Sequence, residues 1–231
     1  MRLLLERKIP FPLSVIYVFI IKVIAKVIGA YHPVILNDSV VSTGERSCSD
    51  RWEKIKIIME DNKVKSVLDL GCAEGFFVHS AAKELSCFSL GIDADIRRLN
   101  LASNSALINE IENCGFIYME IVKENIEKLP ESDVIIFLSV LHHVMYEKGE
   151  DEALSLLKSI KKITNKVMFF DMGQSNEGTQ EWATLLPDMG DDPLEWIKAF
   201  LLKAGFSKIV DLGLTDSYRT STKRHYFAAY V

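Results

Sequence analysis

A chain of 231 residues is long enough for one domain with a substantial core, and its make-up, 48% hydrophobic and 26% charged, excludes a disordered, collagenous or low-complexity protein. Twenty-seven Lys and Arg against 32 Asp and Glu leave a net charge of −5, so the basic excess of a protein that grips nucleic acid is missing. Four cysteines, Cys48, Cys72, Cys87 and Cys114, stand without CxxC spacing; they indicate neither a disulfide framework nor a metal site and fit a reducing, cytoplasmic setting.

Pro10 to Tyr31 is the most apolar stretch, and residues 1–33 read as an appendage to a main domain over 34–231. Its longest uncharged run, Ile9 to Ile21, falls short of the ~18–20 residues that cross a bilayer. Lys22 and Lys26, four apart, share one helical face, from which they can snorkel to headgroups while Ile20, Val23, Ile24 and Val27 enter acyl chains. A membrane-surface helix over 10–31, a helix buried against the domain and a true span all remain open. A signal peptide lacks a small-x-small site behind the basic Arg2, Arg7 and Lys8.

Asn37 to Ser49 is polar and reads as a connecting loop. From there strand and helix patterns alternate: helix 50–61, strand 66–70, helix 75–85, strand 88–93, helix 95–111, strands 116–122 and 133–139, helix 150–163 and strand 166–171. The helix at 150–163 buries Ala153, Leu156, Leu157 and Ile160 at the spacing i, i+3, i+4, i+7. Asp192-Pro193-Leu194-Glu195 starts a helix that ends at Gly205, and strands 206–213 and 224–231 close the chain as a hairpin. The basic run Lys223-Arg224-His225 reads as a solvated turn. Strands alternating with helices predict a doubly wound α/β sheet whose ligand lies beyond the carboxyl ends of the strands.

The motif Asp69-Leu70-Gly71-Cys72-Ala73-Glu74-Gly75-Phe76-Phe77 falls where a nucleotide loop belongs. Gly71 permits the turn off the strand and Gly75 a close approach to the ligand. Ala73 replaces the middle glycine of a GxGxxG fingerprint, which disfavours NAD. Asp69 suits a ligand bearing ammonium or sulfonium charge instead. Asp93 ends the second strand 22 residues beyond Gly71, where an acid accepts the hydroxyls of an adenosine ribose. Read without a ligand, Asp69 and Asp93 would only cap loops.

VLDLGCAEGFF and LGIDAD together resemble the class I S-adenosylmethionine-dependent methyltransferases, over about residues 46–231. The resemblance implies a seven-stranded Rossmann-like sheet with helices on both faces and an antiparallel last strand ending at Val231. It implies S-adenosyl-L-methionine as cofactor and S-adenosyl-L-homocysteine as product. Asp69, Gly71, Cys72, Ala73, Gly75 and Phe76 would surround the methionine part. Asp93 would hold the ribose, Ala94 or Asp95 would lie near the adenine, and Asn125-Ile126 would cover it. Leu138-Ser139-Val140-Leu141-His142-His143 would face the donor methyl.

That SV-x-HH strand end, with Gly44-Glu45-Arg46, Arg51-Trp52, Trp182, Pro187 and Asp191-Asp192-Pro193, resembles the methyltransferases of surface-polysaccharide and O-antigen biosynthesis. The implied acceptor is a glycan or glycolipid, methylated on a sugar hydroxyl or a terminal phosphate, with the inner membrane face as the expected place if the apolar helix binds lipid. RNA-phosphate methyltransferases carry a similar strand, but the acidic balance argues against RNA. His142 and His143 are the candidate bases, and only one should face the acceptor, with His142 favoured by its place at the strand end. Arg46 could pair with the methionine carboxylate and Ser139 line the cofactor site; Arg51, Asp171 and Trp182 could meet the acceptor, as could Arg219 or Lys223. Each of these also has a plain role in packing, capping or salt bridging. A small-molecule or lipid O-methyltransferase and a non-catalytic cofactor-binding scaffold are the alternative functions.

Overall fold

The computed structural model describes residues 13–178, 180–190, 192–217 and 221–231; Arg2, Arg7, Lys8, Asp191 and Arg219 lie outside the described residues. The apolar segment forms helix α1 (Leu13–Ile28), and a short hairpin follows, β1 (Val34–Leu36) with β2 (Ser39–Ser42). The hairpin corrects the expected loop over Asn37–Ser49. Asn37 and Asp38 take φ of 49° and 59°, the left-handed pair a two-residue turn demands and these residue types tolerate.

The main domain runs α2 (Ser49–Asp61), β3 (Ser66–Leu70), α3 (Phe76–Leu85), β4 (Phe88–Asp93), α4 (Ile96–Ile108), β5 (Cys114–Tyr118), α5 (Lys123–Ile126) and β6 (Ser132–Leu138). It continues with α6 (Leu141–Lys148), α7 (Glu150–Lys162), β7 (Thr164–Asp171), α8 (Pro193–Lys203), β8 (Lys208–Asp216) and β9 (Lys223–Tyr230). Seven strands form one sheet in the order β5-β4-β3-β6-β7-β9-β8; the first five are parallel, and β9 runs antiparallel to both β7 and β8.

The two-residue period of the strands divides the core between the sheet's faces. Leu68, Leu70, Ile135, Phe137 and Phe170 pack against Leu156, Leu157 and Ile160 of α7 and Phe200 and Leu201 of α8. Val67, Ile136, Phe169 and Tyr226 pack against Trp52 and Ile55 of α2 and Phe77 and Ala81 of α3. Asp192 caps α8 by accepting from Leu194 N–H, with Pro193 in the first turn where its missing donor costs nothing.

The strand expected at 116–122 ends at Tyr118. Met119 N–H still donates to Asp93 O, but Val122 already caps α5, so the chain turns off this half-covered edge. The run Lys223-Arg224-His225 belongs to β9 rather than to a solvated turn, and Arg224 is buried. Helix α1 packs Ile21 and Ala25 against Leu101 of α4 and against Val34 and Leu36 of the hairpin. Among the described residues no helix is long and apolar enough to cross a membrane.

From β3 the chain moves to β4 and β5 on one side, then returns to β6 on the other. The strand order therefore reverses beside β3, and a crevice opens there beyond the carboxyl ends.

Candidate active site

The crevice is a cavity of about 960 Å³ lined, among others, by Tyr31, Gly71, Ala73, Asp93, Ser139, His142, His143, Trp182 and Arg224. Its β4 side is built from the loop after β3. Gly71 takes a φ of 87°, and a Cβ there would overlap Val140 Cγ2, so only glycine lets the chain leave the strand at this point. Ala73 follows at φ 47°, a conformation rare outside glycine, and Asp93 holds it there: Asp93 Oδ2 accepts from Ala73 N–H at 2.8 Å and Oδ1 from Asp95 N–H at 2.8 Å. Each carboxylate oxygen keeps a free lone pair for a ligand in the cavity.

Cys72, Gly75 and Phe76 shape this loop from behind. Cys72 is buried, Phe76 packs edge-on against Phe77, and Gly75 meets Phe116, whose ring carbon would lie 2.8 Å from an added Cβ. Asp69 is buried with Oδ2 unpartnered; burial, reinforced by Asp93 and opposed by Arg51, pushes its carboxyl well above the usual range. Ala94 lines the cavity, whereas Asp95 caps α4 by accepting from Arg97 N–H. Asn125 and Ile126 do not line it: Asn125 donates to Glu120 O, and Ile126 is fully buried in the core. The early end of β5 puts Glu120, Ile121 and Val122 at that wall instead.

On the other side of β3 the floor is ionic. Asp171, without solvent exposure, ends β7 and receives Arg46 Nη2 at 3.0 Å and Arg51 Nη1 at 3.3 Å. Burial alone would raise its pKa, but Arg46, Arg51 and Arg224 overcome that and hold it at about 2. Ser139, forced to φ 60°, donates to Asp171 Oδ1 at 2.7 Å and accepts from Arg46 Nη1 and, at 3.3 Å, from Arg224 Nη1. Arg46 also donates to the Tyr31 hydroxyl at 3.1 Å, while its Nε has no partner among the described residues. Arg46, Arg51 and Asp171 thus stand behind the cavity wall, and Ser139 is their exposed end.

Sequence reasoning missed three parts of this wall. Arg224 is clamped bidentately by buried Glu177, at 2.7 and 2.9 Å, and lies over the Trp182 ring. The two-residue period of β9, which puts Arg224 on the face of Tyr226 and Ala228, was the available signal. Glu74, one residue before Gly75, accepts from Tyr31 N–H, His32 N–H and Arg98 Nη1, fastening the segment after α1 to the loop. Gly173 has no Cβ because Trp182 fills that space.

Both histidines line the cavity, where one had been expected. Their rings stand 4.2 Å apart, and His142 lies 4.4 Å from Trp182. Gly173 N–H donates to His142 Nδ1 at 3.0 Å, so the neutral ring carries its proton on Nε2. Burial, then the charges of Arg224, His143 and Arg46, lower the His142 pKa well below the ordinary histidine value. His142 is therefore a hydrogen-bond donor toward the cavity, with its one basic nitrogen already spent. His143 is more exposed, its pKa is also lowered, by burial and Arg224 against Glu147, and among the described residues no backbone donor occupies its ring.

A long-range ¹H–¹⁵N spectrum should show His142 in the Nε2–H form and still neutral at pH 6, because its folded pKa lies below the unfolded one. A ring protonated on Nδ1 at that pH would contradict the assignment.

Comparison with known proteins gives this geometry its family. A family model described as a methyltransferase domain matches residues 61–194. The O-antigen chain terminator bifunctional methyltransferase/kinase WbdD of Escherichia coli is 34% identical over 135 residues, 58% of this chain but only 18% of that protein. A 2.2 Å crystal structure of WbdD superposes with a TM-score of 0.69 at 27% identity, over 81% of this chain and 41% of that one. The magnesium protoporphyrin IX methyltransferase ChlM of Synechocystis PCC 6803, solved with bound SAM, shares the fold at 16% identity, with a TM-score of 0.57 over 78% of each chain. The seven-stranded sheet, the crevice beside β3 and the matched span together place the chain in the methyltransferase-domain family.

Proposed function

We propose that this enzyme transfers a methyl group from S-adenosylmethionine to a phosphate oxygen on a glycan, in the cavity beside β3. The residues fit the cofactor: Asp93 keeps acceptor lone pairs at the cavity, and Asp69 Oδ2 and Arg46 Nε, buried behind its lining without partners among the described residues, match an ammonium and a carboxylate in chemistry. Asp93 would take the ribose hydroxyls, Gly71 and Ala73 the methionine part, and Ile121 and Val122 the adenine face. When bound, the cofactor supplies a methyl carbon already activated by its sulfonium.

The chain's own work is then alignment. Holding an acceptor oxygen in line behind that carbon is worth effective molarities of about 10⁵ M or more. The observation that carries the choice of acceptor is the Gly173–His142 hydrogen bond. A sugar hydroxyl must lose a proton, but His142 has no free lone pair to receive it. A phosphate oxygen needs no base and is met by donors: His142 Nε2–H, the Arg224 guanidinium and the Lys148 ammonium, all at the cavity. Trp182 gives an aromatic face for the sugar ring, and the likeness to an O-antigen chain terminator supports a glycan carrier. A glycan hydroxyl is the second reading, favoured by the free ring of His143, which would act as base.

Asp93→Ala should weaken binding of S-adenosylhomocysteine about tenfold or more in calorimetry, since a buried ribose would lose its acceptor; undiminished affinity would refute the ribose assignment. With tritiated S-adenosylmethionine and a glycolipid extract, phosphomonoesterase treatment of the extract should abolish labelling, and His143→Ala should leave labelling largely intact. Labelling that survives the phosphatase and falls 10²-fold or more in His143→Ala would establish the hydroxyl reading instead.

A further inference from the structure

Helix α1 has two apolar faces, and the domain covers one of them. Ile21 and Ala25 are buried against α4 and the hairpin. On the opposite side Ile16, Phe19, Ile20, Val23 and Val27 stand in solvent, Phe19 at 65% and Val27 at 80% exposure. At about 100° per residue these five fill one sector of roughly 100°, and Lys22 and Lys26, both exposed, run along its edge one turn apart. Among the described residues nothing covers this face, and so wide an exposed apolar sector marks an interaction site.

We infer that α1 lies in the plane of an anionic lipid surface, with this sector among the acyl chains and Lys22 and Lys26 at the headgroups. Charge selects that occupant. The first 33 residues hold five Lys and Arg against one acid, in a chain whose net charge is −5. A basic apolar segment on an otherwise acidic protein is drawn to anionic lipid. A second copy of the helix would bring a like-charged lysine edge against the first. Sixteen residues, about 24 Å of helix, also lie along a bilayer more readily than they cross it.

The placement has a consequence for the cavity. Gly29 and Ala30 alone separate α1 from Tyr31, which lines the cavity, carries the Arg98 guanidinium over its ring and is tied through its backbone to Glu74. A docked α1 therefore sets the Tyr31 edge of the cavity beside the lipid surface, where an acceptor carried on a lipid would arrive. Docking itself does not depend on the acceptor reading.

The test is co-sedimentation of the full chain with phosphatidylcholine vesicles, with and without phosphatidylglycerol, alongside sedimentation equilibrium without lipid. The protein should bind the anionic vesicles more tightly than the neutral ones. Phe19→Asp with Val27→Asp should abolish binding, and Lys22→Gln with Lys26→Gln should weaken it about 30-fold on anionic vesicles. Calorimetric affinity for S-adenosylhomocysteine should stay unchanged in all variants, which confirms that they fold and keeps this test separate from the acceptor question. Failure of the parent chain to bind anionic vesicles, or full binding by the Asp variant, overturns the inference. A dimer in the absence of lipid that the Asp variant dissolves also overturns it, by showing that a second copy covers the face.

Discussion

One carboxylate without access to water governs the architecture of the site. Asp171 sits at the end of a central strand and receives guanidinium groups from 125 and 120 residues earlier in the chain. Those arginines belong to the segment before β3, so the pairing draws that segment over the crevice. A buried pair of this kind adds little net stability over an apolar substitute, but loss of one partner costs about 3–5 kcal/mol because the other charge is stranded. Its value is positional. Ser139, bonded to Asp171, Arg46 and Arg224 together, is held in a strained left-handed conformation at the cavity floor. The second buried pair, Glu177 with Arg224, holds that floor from the β9 side.

Such a floor suits a reaction in which the protein supplies orientation more than chemistry. Charges locked to partners before any ligand arrives do not reorganise when the sulfonium charge disappears during transfer. The same rigidity extends to the ring cluster above it. Trp182 fills the space that a side chain on Gly173 would take, and Gly173 uses its N–H to fix the tautomer of His142. One glycine thus sets both the shape of this cavity wall and its hydrogen-bonding sense. His142, Arg224 and Lys148 bring donors to that wall beside the Glu147 carboxylate, and those donors are the basis for preferring an anionic acceptor.

The parts of this account that were legible in the sequence are local. Gly71 and Asp93 sit at strand ends set by a strong β pattern, so their place at the crevice followed from spacing, while Asp69 beside them is buried out of the cavity lining. Asp192-Pro193 announced a helix start in the same way. The rest depends on contacts far apart in the chain. Nothing near Arg46 or Arg51 announces that both will meet Asp171. Arg224 sits in a basic run that looks solvated until the burial of Tyr226 and Ala228 turns its face inward. Asn125 was displaced from the cavity because β5 stops at Tyr118, and strand ends on a sheet edge are weakly specified by pattern. The hairpin turn at Asn37-Asp38 was readable from residue type, but its strands are too short to show a period.

The most direct measurement is a crystal structure of the protein with S-adenosylhomocysteine. The account predicts the ribose oxygens on Asp93, the thioether facing the space in front of Ser139 and His142, and Asp171 still bound to Arg51. A product molecule bound away from Asp93, or a crevice that stays closed to it, would contradict the account.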